Sequence, residues 1–354
     1  MRPVILIGNG ADCPELPKVL ELGVPVLTSW QAIDLLENEH PNNFGRPGIY
    51  GQRCANSILA NADQVISIGC RCSVWTVGYT FNPPVHVMVD TDPAETARYP
   101  NANVHNETAA EFINAQVPYP QDVGERWLEA CNLARETMPW VEGPDMTGTY
   151  INPYHFIDRL SKFFKSDQII TTDTGTPYVV AHQVLKIRRP QRLIASGGLS
   201  EMGAGLPGAI GAAIGSSKEV VMMSGDGGFM MNIQELATVR TMNLPIKMIV
   251  FNNGGYNMIK RTQENMGMQI RGTGEPDISM PDFRRIANSF DMMGCQVRTW
   301  EDFNRVVPGF MGYEHGPALL EVFTSPNQKL LKLNPSKNPD GTINSPEFWD
   351  LTFK

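Results

Sequence analysis

Short apolar runs, interrupted by glycine or polar residues, recur along the first ninety residues of the chain. Residues 4–7, 65–68 and 85–89 are each rich in valine or isoleucine, and residues 55–61 between the first two runs are compatible with a helix. A strand inside a parallel sheet is buried on both faces, so a continuous apolar run is typical of it. Strands that alternate with helices predict a doubly wound α/β domain.

The same pattern returns in the second half of the chain, with helical patterns such as residues 230–242 between the runs. Four further strands are predicted there, at residues 168–171, 220–223, 246–251 and 318–322. Residues 117–153 are polar and rich in proline and glycine around a short helical stretch, which indicates a linker. We therefore predict an α/β fold of two doubly wound domains with mainly parallel sheets, over residues 1–145 and 150–325, followed by a C-terminal tail over residues 326–354.

Composition excludes two classes of partner. The 354 residues carry a formal net charge of −8 without any basic block, so a nucleic-acid surface is not expected. No run approaches the ~20 apolar residues of a membrane span, and Met1-Arg2-Pro3 leads straight into a strand rather than a signal peptide. These features predict a cytoplasmic protein. The six cysteines lack zinc-like spacing, which predicts reduced thiols.

Two polar motifs follow neighbouring predicted strands. Asp226 comes just after the run at 220–223, and Asn253 just after the run at 246–251. The carboxyl ends of adjacent parallel strands lie side by side, so these side chains are expected to meet. A carboxylate, a carboxamide and a backbone carbonyl, for which we nominate Gly255, suit Mg²⁺ or Ca²⁺ and leave room for phosphate oxygens. Glycines around Asp226 would let the backbone approach that anion: Gly225, Gly227 and Gly228.

Each motif alone is typical of an ordinary turn, but the pair, 27 positions apart, resembles the signature of thiamine-diphosphate enzymes, especially the acetolactate-synthase-like branch. The resemblance extends through residues 173–178, 196–211, 232–238 and 243–245. It implies that Gly175 and Thr176 contact the diphosphate, and that Met202 is the apolar wedge that holds the cofactor bent. Ser200 stands where the family usually has a glycine whose carbonyl accepts from the aminopyrimidine.

Two departures from acetolactate synthases leave the acceptor substrate open. Thr176-Pro177 replaces the usual Gln-His, and Thr262 replaces a pocket tryptophan. Tyr256, Asn257 and Lys260 follow the metal motif. They are candidates for the acceptor site, but they could equally belong to a solvated helical turn.

The first domain resembles the central domain of the same family, through residues 40–51 and 89–95, and some members hold FAD there. Gly8-Asn9-Gly10 lacks the third glycine of a dinucleotide fingerprint, and Asp90 lies 82 positions after Gly8 rather than ~20. FAD binding and a purely structural role both stay open. An FAD or NAD oxidoreductase would need the complete fingerprint.

The resemblance covers the second and third of three family domains, and the missing pyrimidine-binding domain supplies the glutamate that activates the cofactor. No catalytic residue is therefore assigned. A split enzyme, favoured because Met1 stands just before a strand, competes with a fragment of a longer chain. The resemblance implies a Mg-dependent decarboxylating carboligase for a 2-keto acid such as pyruvate and an unknown carbonyl acceptor, working as an oligomer with a companion subunit. A simple 2-keto acid decarboxylase and a non-catalytic cofactor-holding subunit are the alternatives.

Overall fold

The computed structural model describes residues 1–79, 81–115, 123, 125–332, 336–337 and 343–344. Most of the predicted tail over residues 326–354 lies outside them. The chain forms two compact units. The first contains Met1–Glu142 with Lys186–Arg189 and the described residues from Leu331 onward, and the second contains Gly143–Leu185 and Pro190–Leu330. No helix in the described ranges has the length and apolar character needed to cross a membrane.

The first unit is built on a five-stranded parallel sheet with the order β2-β1-β3-β4-β5. Its strands are β1 (Pro3–Ile7), β2 (Val26–Thr28), β3 (Gln64–Ile68), β4 (Val85–Val89) and β5 (Asn103–His105). Its helices are α1 (Arg53–Asn61), α2 (Val74–Val77), α3 (Pro93–Thr96), α4 (Ala109–Asn114) and α5 (Glu125–Thr137).

Both faces of the first sheet are covered. Val4 and Leu6 of β1 belong to one apolar cluster, with residues of α1 and α5, whereas Ile5 and Ile7 belong to a second cluster on the opposite face. Trp127 of α5 is buried and donates from Nε1 to the Pro3 carbonyl at 3.0 Å. The helical part of the segment that composition marks as a linker is therefore part of this core.

Gly8 and Gly10 serve a close backbone contact in the first unit. A Cβ at Gly8 would lie 2.1 Å from the Gly69 carbonyl oxygen, and the chain continues as a 3₁₀ turn at Asn9–Ala11 rather than as a longer helix. The glycines are needed where the turns after β1 and β3 touch, which supports their structural interpretation. FAD binding stays a prediction. All six cysteines are free thiols.

The second unit carries a six-stranded parallel sheet with the order β12-β13-β11-β10-β8-β9. Its strands are β6 (Met146–Thr147), β7 (Tyr150–Ile151), β8 (Ile169–Thr172), β9 (Arg192–Ala195), β10 (Val220–Gly225), β11 (Ile246–Asn252), β12 (Met293–Val297) and β13 (Ala318–Phe323), of which β6 and β7 form a separate antiparallel pair. Its helices are α6 (Pro153–Ser161), α7 (Thr176–Val184), α8 (Gly205–Ser216), α9 (Asp226–Met230), α10 (Leu236–Thr241), α11 (Asn257–Asn265), α12 (Phe283–Ser289) and α13 (Trp300–Met311).

Helices pack on both faces of this sheet as well. Leu206 and Ala209 of α8 share an apolar cluster with Met222 and Met248 of the central strands. On the other face, the ring of Phe156 in α6 meets Phe251 and Phe303 edge to face, at centroid distances of 5.5 and 5.3 Å. The predicted fold of two doubly wound α/β domains with parallel sheets is confirmed.

Candidate functional site

The two polar motifs lie at neighbouring strand ends in the second unit. Strands β10 and β11 pair in parallel, with Gly225 opposite Phe251, so Asp226 and Asn253 leave the sheet at the same edge. The helical stretch predicted at 230–242 is wrong in its limits. α9 begins at Asp226 itself, and a 3₁₀ turn at Ile233–Glu235 separates it from α10. Asp226 therefore stands in the first turn of a helix and not in a loop.

The Asp226 carboxylate organises the loop after β11. Its Oδ2 accepts from the backbone N–H groups of Asn253, Gly254 and Gly255 at 2.9, 2.8 and 3.0 Å. Its Oδ1 accepts from Gly227 N at 2.7 Å. Burial raises the pKa of Asp226 to about 6, although these N–H groups lower it. Desolvation outweighs the hydrogen bonds, and a bound cation would offset that cost.

The donor set at this edge fits a hard divalent cation. Oδ1 of Asp226 accepts one N–H and keeps acceptor capacity, whereas Oδ2 already accepts three. Within the described part of the chain, no hydrogen bond engages the Asn253 side chain. Gly255 turns its N–H to Asp226, and its carbonyl accepts from Asn257 N at 3.2 Å. Asp226 and Asn253 would thus hold Mg²⁺, with the Gly255 carbonyl less free to join them.

The structure separates the two adjacent asparagines. Asn252 Nδ2 donates to Glu321 Oε1 at 2.7 Å, and its Oδ1 accepts from Gly254 N at 3.0 Å. Both ends of this carboxamide are therefore used inside the protein. Asn253 is left as the residue with an oxygen to offer a ligand.

A cavity of about 250 Å³ opens beside this pair, within the second unit. Every cofactor or metal residue predicted from the sequence lines it: Gly175, Thr176, Ser200, Met202, Gly225, Asp226, Gly227, Gly228, Asn253 and Gly255. Tyr256 and Asn257 also line the cavity. Lys260 is not part of the wall, and its Nζ donates to Asn327 Oδ1 at 3.0 Å.

Backbone geometry explains two of these positions. Ser200 has a φ of +55°, in the left-handed region where glycine is favoured. A serine adopts this conformation at some strain. The contact expected of this residue is made by its backbone carbonyl, which serine and glycine share. Gly227 lies against the ring of Tyr256. A Cβ at this position would lie 2.1 Å from Tyr256 Cε1, so a larger residue would displace the ring.

Asp173 is a residue of the site that sequence reasoning did not single out. It is fully buried at the end of β8, and burial raises its pKa. Its Oδ1 accepts from Thr174 N at 2.8 Å and Gly203 N at 3.0 Å, and its Oδ2 accepts from Ser224 Oγ at 2.9 Å. It therefore joins the loops after β8, after β9 and at the end of β10. Its position at a strand end was the available signal.

Known proteins share both parts of the chain. Residues 1–113 match the central domain of thiamine pyrophosphate enzymes, and residues 173–322 match their C-terminal TPP binding domain. The chain belongs to the thiamine pyrophosphate enzyme family. The predicted resemblance is confirmed.

Relatives within the thiamine pyrophosphate family are acetolactate synthase large subunits. The chain is 29% identical to a probable acetolactate synthase large subunit of Methanococcus aeolicus, over 94% of this chain and 60% of the relative. In Escherichia coli, identity is 29% to the isozyme 2 large subunit and 30% to the isozyme 1 large subunit, covering 59% and 60% of those proteins. The chain thus spans about three-fifths of the length of these relatives.

Proposed function

We propose that this chain binds thiamine diphosphate through a Mg²⁺ ion held by Asp226 and Asn253. The proposed enzyme is acetolactate-synthase-like, decarboxylating a 2-keto acid such as pyruvate and joining the product to a carbonyl acceptor. The observation that carries this proposal is the meeting of Asp226 and Asn253 at adjacent strand ends on the cavity wall. The match of residues 173–322 to a TPP binding domain supports it.

The chain's own residues would bind and orient the cofactor. Gly175 and Thr176 stand at the start of the nine-residue helix α7, whose first N–H groups suit an anion such as diphosphate. Met202 presents an apolar side chain, 38% exposed, at the cavity wall. When bound, thiamine diphosphate supplies a carbon nucleophile for reaction with 2-keto acids. Tyr256 and Asn257 are placed to line the space for the acceptor.

We further propose that the pyrimidine-binding domain and the glutamate that activates the cofactor come from outside these 354 residues, either from a companion subunit or from another part of a longer chain. The support is the resemblance to relatives of which the chain covers about three-fifths. On its own, the 354-residue chain would then bind the cofactor weakly and turn over no substrate.

The cofactor proposal is tested with Asn253→Ala. No protein hydrogen bond in the described residues depends on this side chain, so stability should change by less than ~0.5 kcal/mol. The affinity for thiamine diphosphate with Mn²⁺, followed by electron paramagnetic resonance, should fall at least ~10-fold, since a metal ligand is lost. Asn265→Ala, an exposed asparagine at the end of α11, is the matched control. Equal affinity of Asn253→Ala and wild type would refute the site.

The reaction proposal is tested by product analysis. The chain, together with the polypeptide that carries the pyrimidine-binding domain, is incubated with pyruvate and candidate aldehydes or ketones. A joined product supports carboligation, whereas free aldehyde alone supports simple decarboxylation. Absence of turnover in a mixture that binds cofactor would favour a cofactor-holding subunit.

A further inference from the structure

A buried carboxylate, Glu321, lies within β13 and faces two amides. It is 0% exposed, and its register partners are Val250 of β11 and Gln296 of β12. Oε1 accepts from Asn252 Nδ2 at 2.7 Å, and Oε2 accepts from Gln296 Nε2 at 2.8 Å. No basic side chain among the described residues pairs with it. An unpaired buried carboxylate costs stability relative to an apolar residue, so its contacts point to another purpose.

The contact with Glu321 determines which way the Asn252 carboxamide faces. A free carboxamide could place either its oxygen or its NH₂ group toward the next turn. With Nδ2 held by Glu321, Oδ1 must face Gly254 N, which it accepts at 3.0 Å. The reversed amide would set a donor against a donor, and would push the Gly254 N–H away.

Gly254 connects this contact to the proposed metal site. Its N–H is shared between Asn252 Oδ1 at 3.0 Å and Asp226 Oδ2 at 2.8 Å. Residues 253–255 are here called the metal loop. The N–H groups of Asn253 and Gly255, on either side of Gly254, donate to the same Asp226 oxygen. Gly254 itself has a φ of +81°, so the turn is tight. A continuous series of hydrogen bonds thus runs from Glu321 to Asp226.

We propose that Glu321 is a positioning residue for the metal loop. By orienting Asn252, it keeps the three N–H groups of the loop on Asp226, and so leaves the Asn253 side chain turned toward the cation. The cation part of this inference rests on the proposed function. The positioning of the loop itself does not, because it is visible without ligand.

Hydrogen exchange of the ligand-free chain tests the positioning. Glu321→Met removes both acceptors at similar size, and amide exchange in a peptide covering residues 252–256 should accelerate about tenfold. Glu321→Gln should have a smaller effect, because its side-chain carbonyl still accepts from Asn252. Leu320→Ala removes a buried side chain of the same strand and controls for general destabilisation. Exchange in Glu321→Met that rises no more than in Leu320→Ala would overturn the inference.

A donor–acceptor exchange between residues 252 and 321 gives a rescue test. Asn252→Asp sets two carboxylates against each other and should deprotect the metal loop. In Asn252→Asp/Glu321→Gln, the introduced amide donates to the introduced carboxylate, which still accepts from Gly254 N. Protection should return in the double variant. A double variant that exchanges as fast as Asn252→Asp would contradict the orientation mechanism.

Cofactor binding separates this inference from the proposed function. With Mn²⁺ and thiamine diphosphate, Glu321→Met should bind roughly 10–100-fold more weakly than wild type, as for other residues that orient metal ligands. If wild type does not bind, or Asn253→Ala binds equally well, the proposed function fails while hydrogen exchange still decides the role of Glu321. If Asn253→Ala loses binding and Glu321→Met binds like wild type, the positioning of the metal site by Glu321 is refuted.

Discussion

Asp173 offers a sharp test of how the cavity loops are held. Its carboxylate accepts from Thr174 N, Gly203 N and Ser224 Oγ at 2.8–3.0 Å, and it is fully buried. Asp173→Leu leaves the buried Gly203 N–H and the part-buried Thr174 N–H without an acceptor. At ~1–3 kcal/mol for a buried donor and less for the part-buried one, the second unit should lose roughly 1–4 kcal/mol. Ser224 keeps a partner, because its hydroxyl also reaches the Gly225 carbonyl at 3.0 Å.

Asp173→Asn should be far better tolerated. Its oxygen would accept the two N–H groups, and its NH₂ group would donate to Ser224 Oγ, which then donates to Gly225 O. Burial raises the folded pKa of Asp173 above the usual 3.8. The stability from this shift is present below 3.8 and is lost as pH rises through the folded pKa. Since asparagine does not titrate, Asp173→Asn should gain on wild type as pH rises from 3.8 toward neutrality.

The assay is hydrogen exchange of peptides from β8 and β10 in increasing urea, at acidic and neutral pH, which reports on the second unit alone. The expected order of stability at neutral pH places Asp173→Asn close to or above wild type and Asp173→Leu well below both. Equal stability of Asp173→Leu and Asp173→Asn would refute the acceptor role. A loss in Asp173→Asn that grows with pH would refute the cost of burying the charge.

Three further sets of substitutions test local geometry. Ser200→Val places a β-branched residue at positive φ, so it should cost ~1–3 kcal/mol of stability and weaken cofactor binding, whereas Ser200→Gly should do neither. Thermal unfolding measures the stability of the two variants, and titration with cofactor measures their affinity. Gly227→Ala should cost ~1–3 kcal/mol, because the added Cβ displaces the Tyr256 ring. In a double-mutant cycle, Tyr256→Ala should remove this cost, and additive effects of the two substitutions would contradict the contact. Trp127→Ala should destabilise the first unit by ~3–5 kcal/mol, whereas Trp127→Phe, which chiefly loses the hydrogen bond to Pro3 O, should cost ~1 kcal/mol. Hydrogen exchange of β1 peptides in increasing urea measures both losses, and equal losses would contradict the packing role.

The central strands of both sheets were predictable because burial on two faces demands a continuous apolar run. β1, β3, β10 and β11 all show it. Within the two parallel sheets, the strands that were not predicted are the edge strands β2, β5, β9 and β12. An edge strand has one neighbour, and β5 and β9 are partly exposed, so their residues need not be apolar. β2 is buried but is only three residues long.

Local sequence predicted Asp226 and Asn253, because each follows a strand at the carboxyl edge of a parallel sheet, whereas Gly175, Thr176, Ser200 and Met202 were predicted from the family resemblance. The order of strand, helix and strand along the sequence was enough to predict that Asp226 and Asn253 lie close together. What only the tertiary structure decided is which polar groups are already engaged. Asn252 meets Glu321 across 69 positions, and Asp173 meets Gly203 across 30. Neither contact has a local signal, because sheet order and loop packing bring the partners together. Tertiary structure therefore supplies the physical reason why the side chain of Asn253 is available to a cation and that of Asn252 is not.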